Sequence, residues 1–255
     1  MKTKALNAAK SLAVLAALLA LWALVCRAGL FSAYVLPGPE RVARAFVSMA
    51  ASGELLRSLL ASLWRVLVGF GISFVLAFLL GVLTGLAPGA DPYYRHILEF
   101  LRHVPPMSLI PLLILWFGIG ETSKIIVIVL TSFFPIFLNT NAGLSQCDPK
   151  LLEVGRSLGM SRSACFFRIQ LPAAMPSVLV GMRIGLGYSW RAIVGAEMIA
   201  AASGLGYMIL DAQALSRSDK VLVGILLIGA VGFVTDALFG LLIRRLTPGG
   251  GHENG

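Results

Sequence analysis

The stretch EVGRSLGMSRSACFFRIQLP, Glu153 to Pro172, decides how this chain is read. It is polar and basic, with Arg156, Arg162 and Arg168, and it is set between long apolar runs. Just before it, Asp148-Pro149 forms a helix start, with Asp as N-cap and Pro at the first helical position. Leu151, Gly155 and Leu158 then fall at i, i+4 and i+7 on one apolar face, while Lys150, Glu153 and Ser157 point elsewhere. Gly159 stands where a helix ends in a left-handed residue. Ser161 is placed to cap a second helix carrying Ala164, Cys165, Phe167 and Ile169, which Leu171-Pro172 closes. The expectation is two short helices at a membrane surface joined by a sharp glycine turn. They make a rigid, partly apolar knob suited to docking a partner.

The sequence around this hairpin is that of a polytopic membrane protein. Of 255 residues, 58% are hydrophobic and 13% charged, against about a quarter charged in soluble globules. Mean hydropathy is +0.87, and no polar run is long enough for a separate soluble domain. The net charge of +9 does not point to nucleic acid, because no basic, aromatic-interleaved patch is present. Basic residues instead collect on the cytoplasmic side of inner-membrane proteins. Cys26, Cys147 and Cys165 form neither a disulfide framework nor a zinc pattern and read as small apolar residues.

Six spans are expected. Lys2, Lys4 and Lys10 precede an apolar run from Leu12 to Cys26, read as an uncleaved first span reaching about Phe31. In LPGPERVARAFVSMA, Gly38-Pro39 starts an interfacial helix with Val42, Phe46 and Met49 on one face. The second span covers about Leu59–Leu86, and Ala87–His96 reads as a loop. The third, about Leu98–Phe117, carries Pro105, Pro106 and Pro111 and should be broken at its start. GIGETSK, Gly118–Lys124, is a tight loop before the fourth span, about Ile125–Leu144. The fifth runs from about Met175 to Ala201, and a loop with Asp211, Arg217, Asp219 and Lys220 leads to the sixth, about Val221–Ile243. The side bearing the lysines of the N-terminus, Arg95, the hairpin and Arg244-Arg245 is richer in Lys and Arg than the other. It is therefore expected to be cytoplasmic, with both termini and the hairpin on it.

The hairpin resembles the cytoplasmic signature of importer permeases of ATP-binding-cassette (ABC) transporters: E-A-A, three residues, G, nine residues, I-x-L-P. Glu153-Val154-Gly155, Gly159 and Ile169-Gln170-Leu171-Pro172 match it at the same spacing, departing where Val154 and Gly155 replace alanines. The stretches Arg102–Lys124 and Gly185–Ile209 resemble permeases of the sulfonate, taurine and nitrate branch, and the likeness runs from about Glu54 to Arg245. The resemblance implies an all-α membrane protein with the type I importer (MetI-like) transmembrane fold. It also implies a homodimer working with two ATPase subunits and a substrate-binding protein. Glu153, Gly155, Gly159, Ile169, Leu171 and Pro172 would then belong to the coupling helix segment that sits in a groove of the ATPase.

Residues 1–53 are read as the first span and the interfacial helix, 54–246 as the permease domain and 247–255 as a short tail. No catalytic residue, metal site or cofactor is expected: GIGETSK lacks the glycine before lysine that a phosphate loop needs, and the histidines are scattered. Intramembrane charges mark functional sites by default. Arg191 and Glu197, with neighbouring Trp190, are candidates for the translocation path, the alternative being a structural ion pair between helices. Arg183 and Asp236 are read as structural, and Gly181-x-x-x-Gly185 as a site of close helix packing with or without a dimer role. The rivals are a secondary transporter driven by an ion gradient, which would show inverted repeats, and an intramembrane enzyme, which would need a nucleophile–base pair or metal ligands.

Overall fold

The computed structural model describes residues 2–87, 89 and 91–246. The tail 247–255 lies outside the described residues. The described chain is helical: α1 Lys2–Arg27, α2 Pro39–Ala51, α3 Glu54–Leu86, α4 Asp91–His103, α5 Ile110–Phe117 and α6 Glu121–Ser145. Then follow α7 Pro149–Ser157, α8 Arg162–Cys165, α9 Leu171–Ala200, α10 Leu205–Ala214 and α11 Ser218–Leu246.

Small residues set the arrangement of the central helices. Gly69 of α3 lies against Ile128 of α6, and Gly81 against Thr140, so the two helices run parallel. Gly143 of α6 meets Ser177 of α9, while Gly185 of α9 meets Ile136, so α9 runs antiparallel to both. Gly181 and Gly185, the small-residue pair of the sequence, thus seat α9 on α6 within one chain. A Cβ at Gly181 would stand 2.9 Å from the carbonyl oxygen of Pro135. The bundle has two ends. At one, α3 and α6 finish and α9 begins around the hairpin; at the other, called the far end, α3 and α6 begin and α9 finishes.

Of the six expected spans, four stand among the described residues as unbroken helices long and apolar enough to cross a membrane. The third is broken: α4 and α5 meet at 83° across Pro105 and a short turn of 3-10 helix at Pro106–Leu109. The prolines are the cause, since each removes a backbone donor and crowds the preceding turn. In the first, only Ala13–Arg27 is apolar, a shorter helix. Helix α2 buries Val42, Ala45 and Met49, whereas Phe46 is half exposed.

Parts of two expected loops are helical instead. Of the loop expected at Ala87–His96, the segment from Asp91 on belongs to α4, begun at Asp91-Pro92, the same helix-start pair as Asp148-Pro149. The segment after the fifth span folds back as α10, which buries Leu205, Met208 and Ile209 in the core with Val66, Ile128 and Ile193.

Candidate functional site

The hairpin is built by caps. The Asp148 carboxylate accepts the Lys150 N–H at 2.9 Å and opens α7. The helix closes in a Schellman arrangement: Met160 N–H donates to the Gly155 carbonyl at 3.0 Å and Gly159 N–H to the Arg156 carbonyl at 2.9 Å. Gly159 has φ +79°, the left-handed region that only glycine enters at little cost. Ser161 Oγ accepts the Ala164 N–H at 3.2 Å and starts α8. The second helix is not closed by Leu171-Pro172, as expected from sequence. It passes through a π turn, Phe166–Gln170, and continues into α9 as one helix, Arg162–Ala200. Pro172 cannot donate to the carbonyl four residues back, and the wider turn lets Leu171 N–H bond Phe166 instead. The hairpin is thus joined to a span without a joint, and Gln170 Nε2 donates to the Leu144 carbonyl at 3.1 Å, tying it to the end of α6.

Gly155 is buried and so does not share the exposed face of Leu151 and Leu158, with which its spacing groups it. A Cβ there would stand 2.8 Å from Ile169 Cδ1 and 3.0 Å from Cys165 Sγ. This contact accounts for glycine where the signature has alanine: Ile169 fills the space. The outward stripe is Leu151, Val154 and Leu158, all more than half exposed, with Phe167 beside it and Leu158 at 77%. Glu153 is exposed on the same helix.

The far end carries an ionic network, buried except for Glu121, whose side chain is half exposed. Glu197 is fully buried. It accepts from Ser62 Oγ at 2.8 Å, Arg65 Nη1 at 2.7 Å and the Gly206 N–H at 2.9 Å. Arg65 also grips Glu121 through Nε at 2.6 Å and Nη2 at 2.9 Å, and donates to the Ser203 carbonyl at 2.8 Å. Lys124 adds a bond to Glu121 at 2.7 Å. Burying one charge uncompensated costs several kcal/mol; here each is matched. Gly204, at φ +113°, lets the chain turn against the Glu197 carboxylate. Arg65 escaped the sequence reading, although an arginine inside LWRVLV is itself an intramembrane charge.

Trp190 is buried in the core with its indole N–H unpaired. Trp190 and Glu197 are thus both buried within the chain, Glu197 held by the network. Arg191 is exposed, its guanidinium 5.5 Å from the centre of the Tyr188 ring. Arg183 and Asp236 form a bidentate pair between α9 and α11, as expected for a structural role. A groove of about 400 Å³ opens between the end of α4, the middle of α6 and α9, lined by Arg102, Thr131, Pro135, Asn139 and Tyr188 among others.

Residues 74–248 match the binding-protein-dependent transport system inner membrane component family. The chain belongs to that family. It is 43% identical over 227 residues to the aliphatic sulfonates transport permease protein SsuC of Escherichia coli (strain K12), covering 89% of this chain and 86% of that one. With the taurine transport system permease protein TauC of the same organism it shares 37% over 243 residues, covering 93% and 88%. A structure of the inward-facing MetNI methionine ABC transporter superposes with a TM-score of 0.62 at 18% identity, covering 74% of this chain and 96% of that chain, which shows the fold. This family member is a permease subunit of an ABC importer, an inner-membrane component that works with ATPase subunits and a substrate-binding protein. It is not itself an enzyme; ATP is hydrolysed by the partner. The ion-gradient alternative is set aside by the same findings.

Proposed function

We propose that this permease forms the path for a small anion of the aliphatic sulfonate, taurine or nitrate kind. Two copies would be arranged about a two-fold axis, with two ATPase subunits and an external binding protein delivering the substrate. Its hairpin, α7 with the turn at Gly159, is the coupling element. The single observation that supports this is the exposed stripe Leu151, Val154 and Leu158 on a helix capped at both ends and joined by the Gly159 turn to α8, which is continuous with a span. Such a stripe has no cause in the folded chain itself, and a rigid connection passes a push on the hairpin into the bundle. Glu153, Gly159, Ile169, Leu171 and Pro172 belong to the element, with Gly155 as its packing seat. Residues 54–246 act as the permease unit. The hairpin and both termini face the cytoplasm, in keeping with the Lys and Arg bias of that side. Of the path candidates, Arg191 is retained, because it alone is exposed.

Reconstitution with its ATPase and binding protein tests the reading: ATP-dependent uptake of taurine, ethanesulfonate or nitrate is expected. Native mass spectrometry should show two identical permease copies; one copy, or a second distinct permease, overturns the homodimer. A fusion series placing the C-terminus outside overturns the orientation.

A further inference from the structure

The basic residues of the spans differ in how they are held. Arg65 and Lys124 are held by Glu197 and Glu121, and Arg183 by Asp236. Arg102, at the end of α4, has neither hydrogen-bond nor ion-pair partner among the described residues, although it opens onto the groove at the middle of α6 and α9. Its level in the bundle is given by its fellow lining residues, Thr131 to Asn139 of α6 and Ile184 and Tyr188 of α9, which lie near the centres of those helices. No carboxylate lines the groove. Glu99, one turn earlier on α4, lies 3.7 Å from His96 and lines, with Arg102, the adjoining cavity toward Tyr94 and Asn141, without an ion pair to Arg102. A guanidinium at that depth is too costly to leave in lipid, so it faces a wet or protein-covered cavity.

We propose that this groove is an anion-binding site in the path, with Arg102 as its charged donor. This rests on the reading of the chain as an anion importer. The ligand class is a small oxyanion, sulfonate or nitrate, whose oxygens accept the guanidinium N–H groups in parallel. Asn139 gives one amide N–H to the Pro135 carbonyl at 2.8 Å and has a second for the ligand. Tyr188 supplies a hydroxyl and places Arg191 beside the groove, so two guanidinium groups raise the local anion concentration. Thr131 donates its hydroxyl proton to the Val127 carbonyl at 2.7 Å, so it offers the ligand no donor. The broken third span makes the site: without the bend at Pro105, α4 would run on as a spanning helix and not bring Arg102 to this depth.

The test uses the complete transporter in proteoliposomes with labelled taurine, ethanesulfonate and nitrate as probes. If the wild-type complex takes up none of the anions, the functional reading fails and this inference with it. If the wild type takes up an anion, Arg102→Gln should assemble with the ATPase and lose uptake by at least about tenfold, the scale of one charge-assisted bond. Arg102→Lys, which keeps the charge without the fork, should fall between the two. Uptake by Arg102→Gln equal to wild type overturns the site alone. Should that variant fail to assemble, Asn139→Asp decides: it places a negative charge among the same lining residues at nearly unchanged size. A loss of at least about tenfold supports the site, and wild-type uptake overturns it.

Discussion

The two ends of this permease use their side chains in opposite ways. At the far end, Arg65, Lys124 and Glu197 are buried and each is matched: Arg65 lies between Glu197 and the half-exposed Glu121, and the chain turns tightly at Gly204 against Glu197. At the hairpin end, apolar side chains are left outside on α7, and the order comes from the backbone, through an N-cap, a Schellman closure and a left-handed glycine. The charges of the far end are matched within one chain. The hairpin is rigid but unfinished, which is what a surface awaiting an ATPase requires. Stability and coupling should therefore separate on mutation.

The largest stability effect is expected at the far end. Glu197→Ala leaves Ser62, Gly206 and part of Arg65 without an acceptor and should cost about 3–5 kcal/mol, read as thermal unfolding of the solubilised protein. Glu197→Gln keeps the shape and part of the bonding and should cost less. A Glu197→Ala protein as stable as wild type would erase the contrast between the ends. Next comes Gly159→Val. No atom stands within 4 Å of a Cβ at this position, so the penalty is conformational, not steric. A β-branched residue at positive φ costs about 1–2 kcal/mol and re-aims the turn. Stimulation of the ATPase should be lost, whereas Gly159→Asn should stay close to wild type. Normal stimulation in the valine variant would remove the coupling role.

Asp148→Ala removes the cap and should cost about 1 kcal/mol, seen as faster hydrogen exchange confined to α7. The smallest stability effect sharpens the comparison most. Leu158→Asp changes only an exposed residue and should alter stability by less than about 0.5 kcal/mol, yet co-purification with the ATPase should be lost. If the ATPase still binds, the exposed stripe is not its seat.

Much of this was legible in sequence because it rests on local rules. The caps at Asp148 and Ser161, the glycine at 159 and the break at Pro105 are decided by neighbouring residues. The misreadings have tertiary causes. The segment at Leu205–Ala214 was read as a loop because its polar neighbours hid an apolar helix whose partners lie far away in the chain. Spacing groups Gly155 with Leu151 and Leu158 on one apolar face, but Ile169 packs against it from the other arm of the hairpin while the two leucines stay outside. The directions of Trp190, Arg191 and Glu197 are likewise set by folding, the first and last turning into the core and Arg191 outward.

Sequence alone determined the membrane class, the hairpin and the resemblance that the family comparison bears out. Composition, helix caps and a spaced signature need only the order of residues. Tertiary structure decided which charges are matched. Arg65 and Arg102 are both arginines in or beside expected spans, but one meets two carboxylates and the other opens onto a groove. The reason is physical: a charge in a span is judged by what lies within a few ångströms, and for Arg65 the partners come from the starts of α6 and the end of α9, which only folding brings together.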